Sequence, residues 1–201
     1  MLTILLIQPG STDFDEQGRI KGTLDFPLSD NGVRQASEIR DALMGTQFDA
    51  LYAGPCRSAQ ETAEILAEPS GLRVRKLEGL RNIDHGLWQG KLIEEIKRNQ
   101  PKAFRLGQEH AEDVCPPEGE PIQEARERVR QSLQKLMRRH KRGTIGVIVT
   151  EPLASLMAAE LEGRELHDLW KAECDEGKFR VLRVGAPAAT RPILGFLGNA
   201  G

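Results

Sequence analysis

The sequence begins with an apolar segment that runs directly into a break, Leu2-Thr3-Ile4-Leu5-Leu6-Ile7-Gln8-Pro9-Gly10-Ser11-Thr12. Five of the six residues from Leu2 to Ile7 are aliphatic, which is typical of a strand buried on both faces of a parallel sheet. Gln8 and the Pro9-Gly10 pair end this strand in a turn. In open α/β sheets, ligands bind at the carboxyl ends of the strands. The turn therefore predicts a pocket, although Pro-Gly pairs also occur in ordinary loops.

Segments typical of helices and strands alternate along the rest of the chain. Predicted helices cover residues 30–44 (with Ser29 as N-cap), 57–67, 92–99, 101–106, 122–141 and 152–161, and predicted strands cover 48–53, 72–77, 144–150, 178–184 and 191–197. We predict the last two as edge strands. The alternation predicts an α/β fold in three layers, with a mainly parallel, doubly wound sheet flanked by helices. We expect one domain over 1–201, in which 78–120 form a small irregular and helical insertion over the pocket.

Composition narrows the class of protein. A formal net charge of −2 over 201 residues gives no field that would favour nucleic acid or an anionic membrane. The three cysteines, Cys56, Cys115 and Cys174, form no CxxC pair and suggest free thiols in a reducing compartment. No apolar run reaches the roughly 20 residues that a membrane span needs, and no signal peptide is recognisable. We therefore expect a cytoplasmic protein with no nucleic-acid or membrane partner.

Short motifs along most of the chain share the order and spacing of one known family. They are Gly10, Thr12, Gly18-Arg19-Ile20-Lys21-Gly22, Asp25-Phe26-Pro27-Leu28-Ser29, Gly32, Gln35-Ala36, Ala59, Thr62, Ala63, Leu80, Gly86, Trp88, Gly90, Pro117-Glu118-Gly119-Glu120 and Arg128-Val129. On these residues the chain resembles the histidine phosphatase superfamily. The resemblance implies a phosphoglycerate mutase-like fold, and for an active member a phosphoric monoester hydrolase or a phosphomutase-like enzyme.

The catalytic positions of that family carry different residues here. Its first strand ends in Arg-His-Gly, where the histidine is phosphorylated, and the matching position is Pro9, which has no side-chain nitrogen. The carboxylate that protonates the leaving group matches Asn82, which cannot supply a proton as an acid does. The second pocket histidine matches Glu151. The resemblance therefore implies a degenerate active site with no catalytic residue in place.

The phosphate-binding positions have changed as well. The two family arginines match Gln8 and Ser58, with Arg57 one position before the second, and a family asparagine matches Asp15. At 4 Å, two like charges repel by about 4 kcal/mol at an effective dielectric constant near 20. A phosphate is therefore disfavoured unless Arg57, Arg19 or Lys21 moves into the pocket. The carboxylates could instead attract an amine or a cation, but they match no metal-ligand spacing, and we expect no metal and no cofactor.

The cysteine and histidine residues elsewhere in the chain do not have the sequence context of a catalytic nucleophile. Cys56 lacks the phosphate-cradling loop and downstream arginine of a cysteine phosphatase, so we interpret it as a structural thiol. His85 follows Asp84 in the segment that borders the pocket, and we expect a surface or hydrogen-bonded histidine there. His110, His140 and His167 match no motif position and are predicted to be solvated.

Three functional hypotheses follow. The first is a catalytically inactive pseudophosphatase that binds a protein partner or a small ligand in a vestigial pocket. The second is an enzyme with altered chemistry that uses Glu151, Asp15 and His85, and the third is a structural subunit, including a homo-oligomer, whose pocket is unused. The predicted pocket residues are Gln8, Pro9, Gly10, Asp15, Lys21, Arg57, Ser58, Asn82, His85 and Glu151.

Overall fold

A single mixed sheet forms the centre of the molecule. The computed structural model describes residues 1–172, 178–184 and 193–195. The strands in this part are β1 (Leu2–Ile7), β2 (Ala50–Ala53), β3 (Val74–Lys76), β4 (Gly143–Ile148), β5 (Phe179–Val184) and β6 (Ile193–Gly195). Their order is β3-β2-β4-β1-β5-β6, in which β3, β2, β4 and β1 are parallel, β5 is antiparallel to β1, and β6 is antiparallel to β5. The predicted mainly parallel α/β sheet is confirmed.

Helices cover both faces of the sheet. They are α1 (Asp13–Glu16), α2 (Asp30–Ala42), α3 (Arg57–Ala67), α4 (Ile93–Asn99), α5 (Pro101–Glu109), α6 (Ile122–Arg139), α7 (Leu153–Glu162) and α8 (Leu169–Ala172), with short 3₁₀ helices at Glu78–Leu80, Gly86–Trp88 and Ala111–Asp113. Each predicted helix is present to within a few residues, whereas α1 and α8 were not predicted. Within the described ranges, no helix combines the length and the apolar character needed to cross a membrane.

The strands supply two separate hydrophobic cores because successive side chains point to opposite faces of a sheet. Leu2, Ile4 and Leu6 of β1 pack with Ile145 and Val147 of β4 against α6 and α7. On the other face are Leu5, Ile7, Leu51 and Ala53, packed against α2 and α3 through Ile39, Leu43, Ala59, Ala63 and Leu66. These two cores produce the predicted three layers. They also fix β1 and β4 at the centre, where the pocket was expected.

One strand lies in a different place from the one predicted. We predicted 178–184 as an edge strand, and this is wrong, because β5 pairs with the whole of β1, from Leu2↔Val184 to Ile7↔Phe179, and β6 lies outside it. The apolar residues of β5 are therefore explained by an interior position in the sheet. Of the predicted strand 191–197, residues 193–195 form β6 and the others lie outside the described residues.

The segment 78–120 contains two α-helices and three 3₁₀ helices but no strand. It is joined to the loop after α1 by a bridge between Arg19 and Leu92, in which the N–H of Ile20 donates to the carbonyl of Lys91 at 2.9 Å. Asn82 extends the contact, since its side chain reaches the carbonyl of Gly22. These bonds hold the segment against the loop that carries Lys21.

Candidate functional site

The carboxyl ends of β1 and β4 bring the central residues of the site together. The two strands run parallel to Ile7 and Ile148, and the N–H of Val149 donates to the carbonyl of Ile7 at 3.0 Å. The residues that follow are consequently neighbours, and the side-chain amide of Gln8 donates to a carboxylate oxygen of Glu151. Both residues are buried, each with 8% exposed surface. The expectation that the pocket lies at this edge rests on the same geometry.

The turn after β1 packs backbone against backbone on the start of α2. A Cβ atom on Gly10 would lie 2.1 Å from the carbonyl oxygen of Gly32, and one on Gly32 would lie 2.0 Å from that of Ser11. Only glycine allows this approach. Ser29 caps α2 by accepting from the N–H of Gly32 at 3.0 Å, as predicted. The pocket turn is therefore fixed by contacts that need no ligand.

Backbone N–H groups of this turn, which an anion would use, already have acceptors within the chain. Pro9 has no N–H group, and the other four bonds are Gln8 to the Lys178 carbonyl at 2.8 Å, Gly10 to Thr62 Oγ1 at 3.2 Å, Ser11 to Gln35 Oε1 at 2.8 Å and Thr12 to Asp15 Oδ2 at 2.8 Å. The turn thus presents no spare backbone donor from Gln8 to Thr12.

The side chain of Lys21, the next cation near the turn, is held in a buried ion pair with Asp15. Lys21 Nζ lies 2.7 and 2.6 Å from the two carboxylate oxygens of Asp15, and the two side chains are 8% and 7% exposed. Asp15 also accepts from the hydroxyl of Thr12 at 2.6 Å, in a capping box that begins α1. Lys21, one of the three cations whose movement into the pocket would allow a phosphate to bind, is therefore neutralised by a residue of the same pocket.

Glu151 accepts a backbone hydrogen bond at the start of α7, as Asp15 does at the start of α1. Its Oε2 accepts from the backbone N–H of Ser155 at 3.0 Å, in the first turn of the helix. A carboxylate is favourable there, because the helix dipole and the unpaired N–H groups attract negative charge. The carbonyl of Glu151 accepts from Asn82 Nδ2, again at 3.0 Å. Asn82 thus acts as a bridge between Glu151 and Gly22, with its second bond also at 3.0 Å.

Two amide oxygens of this group have no partner. Gln8 Oε1 and Asn82 Oδ1 are buried, and no hydrogen bond reaches either of them from the described part of the chain. The exposed surface of Asn82 is only 4%. The site therefore has two surplus acceptors beside a turn whose backbone donors are already in use.

Arg57 and Ser58 start α3 but lie in different environments. Ser58 is 1% exposed, with its hydroxyl 3.7 Å from the thiol of Cys56. The Arg57 side chain is 57% exposed and pairs with Glu61 at 3.2 Å on the helix surface. The structure therefore brings Ser58 into the interior and leaves Arg57 on the outside. Burial raises the pKa of the Cys56 thiol, which disfavours the nucleophilic thiolate.

His85 is wholly buried, at the end of the loop that carries Asn82, which rules out the surface position, the first of the two alternatives expected for it. Two residues hold this loop to α6. Arg128 donates to the carbonyls of Gly79 and Arg81 at 2.9 and 2.7 Å, and Glu120 pairs with Arg128 at 2.8 Å. Neither Arg128 nor Glu120 was predicted to position the site.

One histidine prediction is wrong. His110 and His167 are exposed, as expected, but His140 is half-buried at the end of α6. Its Nε2 lies 2.8 Å from the hydroxyl of Tyr52, whose oxygen accepts from Arg75 at 3.2 Å. Tyr52 is 1% exposed, so this cluster is a structural contact between β2, β3 and α6.

Thr62 and Gln35 also belong to the site, because they accept from the pocket turn; both were matched to family motifs but were not predicted as pocket residues. Thr62 and Gln35 lie on α3 and α2, far from the turn in sequence. The ion pair had a local signal, since Thr12 and Asp15 have the spacing of a capping box. Across the ranges that the structure describes, no group of three or more His, Cys, Asp or Glu residues is placed to hold a metal ion.

Comparisons with solved structures agree with this architecture. The mycobacterial glucosyl-3-phosphoglycerate phosphatase in complex with VO3 superimposes with a TM-score of 0.81 at 23% identity, over 96% of both chains. A phosphoserine phosphatase from Entamoeba histolytica in complex with 3-phosphoglyceric acid gives a TM-score of 0.79 at 25% identity, over 96% of this chain and 95% of that one. The fold is therefore that of phosphoglycerate mutase-like phosphatases.

Sequence comparisons lead to the same group. The chain is 30% identical to phosphoserine phosphatase 1 of Hydrogenobacter thermophilus, over 92% of this chain and 87% of the relative. It is 23% identical to the adenosylcobalamin/α-ribazole phosphatase of Escherichia coli K12, over 96% and 95%. A sequence model of the histidine phosphatase superfamily (branch 1) matches residues 4–189. The chain therefore belongs to the histidine phosphatase superfamily.

Proposed function

We propose that this protein is a non-catalytic member of its family, a pseudophosphatase that acts by binding a partner or a small ligand at the carboxyl edge of its sheet. Phosphoryl transfer through histidine needs a ring nitrogen as nucleophile, and Pro9 offers none. It also needs donors that converge on the phosphoryl oxygens. The nucleophile and the phosphate donors would both come from the residues around Pro9. We therefore propose that the whole site, and not the nucleophile alone, has lost phosphoryl transfer.

The observation that carries the proposal is that the chain's own acceptors occupy the donors of the pocket. The N–H groups of the turn bond to Thr62, Gln35 and Asp15, and the ammonium group of Lys21 bonds to Asp15. The carboxylate of Glu151 occupies the first turn of α7. An incoming phosphate would have to displace built-in carboxylates and would itself be repelled by them.

An assay of hydrolysis tests the proposal. The purified full chain is incubated with p-nitrophenyl phosphate, with sugar phosphates and with phosphoserine, the compound class named for the relative from Hydrogenobacter. A histidine phosphatase with an intact Arg-His-Gly motif serves as the positive control. We expect release of phosphate at the rate of the buffer blank. Turnover that survives Cys56→Ala and His85→Ala, with phosphate trapped on the chain, would refute the proposal.

A second candidate is an enzyme with altered chemistry that uses Glu151, Asp15 and His85. The names of the relatives favour it, because both sequence relatives described above are phosphatases. Glu151→Gln separates the two candidates. Loss of a general acid or base lowers turnover by about 10²- to 10⁴-fold, so an enzyme of this kind would lose a measurable rate. A pseudophosphatase would show no rate before or after the substitution.

A further inference from the structure

The two unpartnered oxygens of the pocket point to the chemistry of its ligand. Gln8 Oε1 and Asn82 Oδ1 are both buried without a hydrogen-bond partner in the described part of the chain. Both amides also hold Glu151, Gln8 through the carboxylate and Asn82 through the backbone carbonyl. The two surplus acceptors therefore belong to one side-chain cluster, which we call the amide pair.

The orientation of each amide is fixed by its own hydrogen bonds. Gln8 turns its nitrogen to a carboxylate oxygen, and Asn82 turns its nitrogen to two carbonyl oxygens, at 3.0 Å each. A flipped amide would place oxygen against oxygen in both cases. The unpartnered atoms are consequently carbonyl oxygens, which can be satisfied only by a donor.

Buried acceptors without a donor are rare in folded proteins because they lose their hydration and gain nothing in return. Both oxygens are shielded from solvent in this arrangement. A donor from outside therefore reaches them only when the side chains that shield them move. Binding such a donor would relieve both unsatisfied groups at once.

From these observations, and resting on the non-catalytic role proposed above, we infer that the amide pair binds a primary ammonium group of a small amine. An ammonium group has three N–H donors and no acceptor, so it supplies a donor for each of the two oxygens. Bonds from a charged donor are about twice as strong as those from a neutral one. The carboxylate of Glu151, to which the Gln8 amide donates, also favours a cation over an anion, whereas the charge of Asp15 is neutralised by Lys21.

The same groups discriminate against a phosphate ester. A phosphate brings only acceptors, and the donors that surround it in this pocket are already bonded to Thr62, Gln35, Asp15 and Glu151. It would also place its oxygens against those of the amide pair. The pocket of this chain is therefore expected to select the opposite type of ligand from its relatives.

Isothermal titration calorimetry on the full chain tests this with three probes that share one alkyl chain: n-butylammonium chloride, n-butanol and n-butyl phosphate, at pH 7 and equal ionic strength. We expect butylammonium to bind at least about tenfold more tightly than either other probe, as a difference of two charge-assisted bonds predicts. Equal affinities, no detectable heat from butylammonium, or tighter binding of butyl phosphate would each overturn the inference.

Substitutions locate the binding. Gln8→Met and Asn82→Leu remove an amide at nearly constant size, and each should weaken butylammonium binding by about fivefold or more. Gln134→Met makes the same chemical change on the exposed face of α6 and should leave affinity unchanged. Thermal denaturation confirms that each variant is folded. If Asn82→Leu does not fold, Gln8→Met decides, because unchanged binding in that variant excludes the amide pair as the site.

Phosphate release is measured in the same butyl phosphate samples, which separates this inference from the proposed function. Release of phosphate would contradict the non-catalytic role, whatever the affinities. Preferential binding of butyl phosphate without release would leave that role intact and overturn only the ammonium site. Preferential binding of butylammonium without release would support both.

Discussion

At the scale of single residues, the proposed loss of activity rests on a set of linked replacements. Pro9 stands where the family resemblance places the nucleophile, and its neighbours contact one another, since Gln8 bonds to Glu151 and Asn82 holds the backbone of Glu151. A group of residues that satisfy one another cannot be reversed one at a time. Restoring the histidine alone would leave the pocket without a donor for the phosphoryl oxygens.

We therefore predict that Pro9→His alone gives no hydrolysis of p-nitrophenyl phosphate. The combination of Gln8→Arg, Pro9→His, Ser58→Arg, Asn82→Glu and Glu151→His should give weak turnover, because it adds two guanidinium groups and moves the carboxylate from residue 151 to residue 82. Ser58 is 1% exposed, so circular dichroism must show that the combined variant is folded. Turnover from Pro9→His alone would contradict the view that the replacements act as a set.

The ion pair of Lys21 and Asp15 gives a prediction on stability. Lys21→Met leaves a buried carboxylate without its cation and should lower the free energy of unfolding by about 3 kcal/mol. This is the lower end of the range for a broken buried pair, because Thr12 still donates to Asp15 through its N–H and hydroxyl. Urea denaturation at pH 7 measures the change.

The matched control is Lys97→Met, which removes a lysine paired with Glu94 at 3.5 Å where both side chains are more than half exposed. It should cost no more than about 1 kcal/mol, since exposed ion pairs contribute little. The double variant Lys21→Met with Asp15→Leu should recover much of the loss, because no isolated charge remains. Equal effects of the two lysine substitutions would show that the pocket pair is not effectively buried.

At the scale of elements, local patterns predicted the structure well wherever one segment carries its own signal. The helix 57–67 was predicted with the observed ends, and Ser29 caps α2 as expected. Thr12 and Asp15 have the spacing of the capping box that begins α1, but this helix was not predicted from it. The position of β5 could not be predicted in this way, since its antiparallel pairing with β1 joins the two ends of the chain. Nothing in the segment itself distinguishes an interior from an edge strand.

The end of α6 should respond to pH. Burial, together with the charges of Arg139 and Arg75, lowers the pKa of His140 below its ordinary value of about 6.5. Arg75 donates to the oxygen of Tyr52, so the hydroxyl proton is available to the neutral histidine ring. Below pH 6.5 the unfolded chain binds more protons than the folded one. Stability should therefore be complete above pH 6.5 and should decrease as the pH falls below it.

His140→Gln should flatten this dependence in urea denaturation between pH 5 and pH 8. The exposed His110 offers a matched control, and His110→Gln should keep the slope of the parent protein. A parent protein whose stability increases on acidification through this range would contradict the assignment. So would a His140→Gln variant with an unchanged slope.

At the scale of the whole molecule, the sequence predicted which positions meet but not how they are used. The alternating pattern and the family resemblance brought Gln8, Asn82 and Glu151 to one sheet edge, where the structure joins them by hydrogen bonds. The resemblance gave no indication that Lys21 is neutralised by Asp15, or that Arg57 faces solvent and pairs with Glu61. Such pairings depend on side-chain directions, which sequence spacing does not fix. They determine whether the scaffold can still hold an anion.

The scaffold as a whole should therefore be indifferent to phosphate. A ligand at 100 times its dissociation constant adds about 2.7 kcal/mol to stability, which for a domain of this size raises the melting temperature by about 5–11 °C. We expect neither about 10 mM orthophosphate nor about 1 mM vanadate to raise the melting temperature above that in sodium chloride of equal ionic strength. At these concentrations a site with a dissociation constant of about 1 mM or less would be at least half occupied. A family member with an intact Arg-His-Gly motif, measured in parallel, should be stabilised. A saturable rise in this chain would mean that Lys21 or another cation leaves its carboxylate for the added anion, and the proposed loss of phosphate binding would then be wrong.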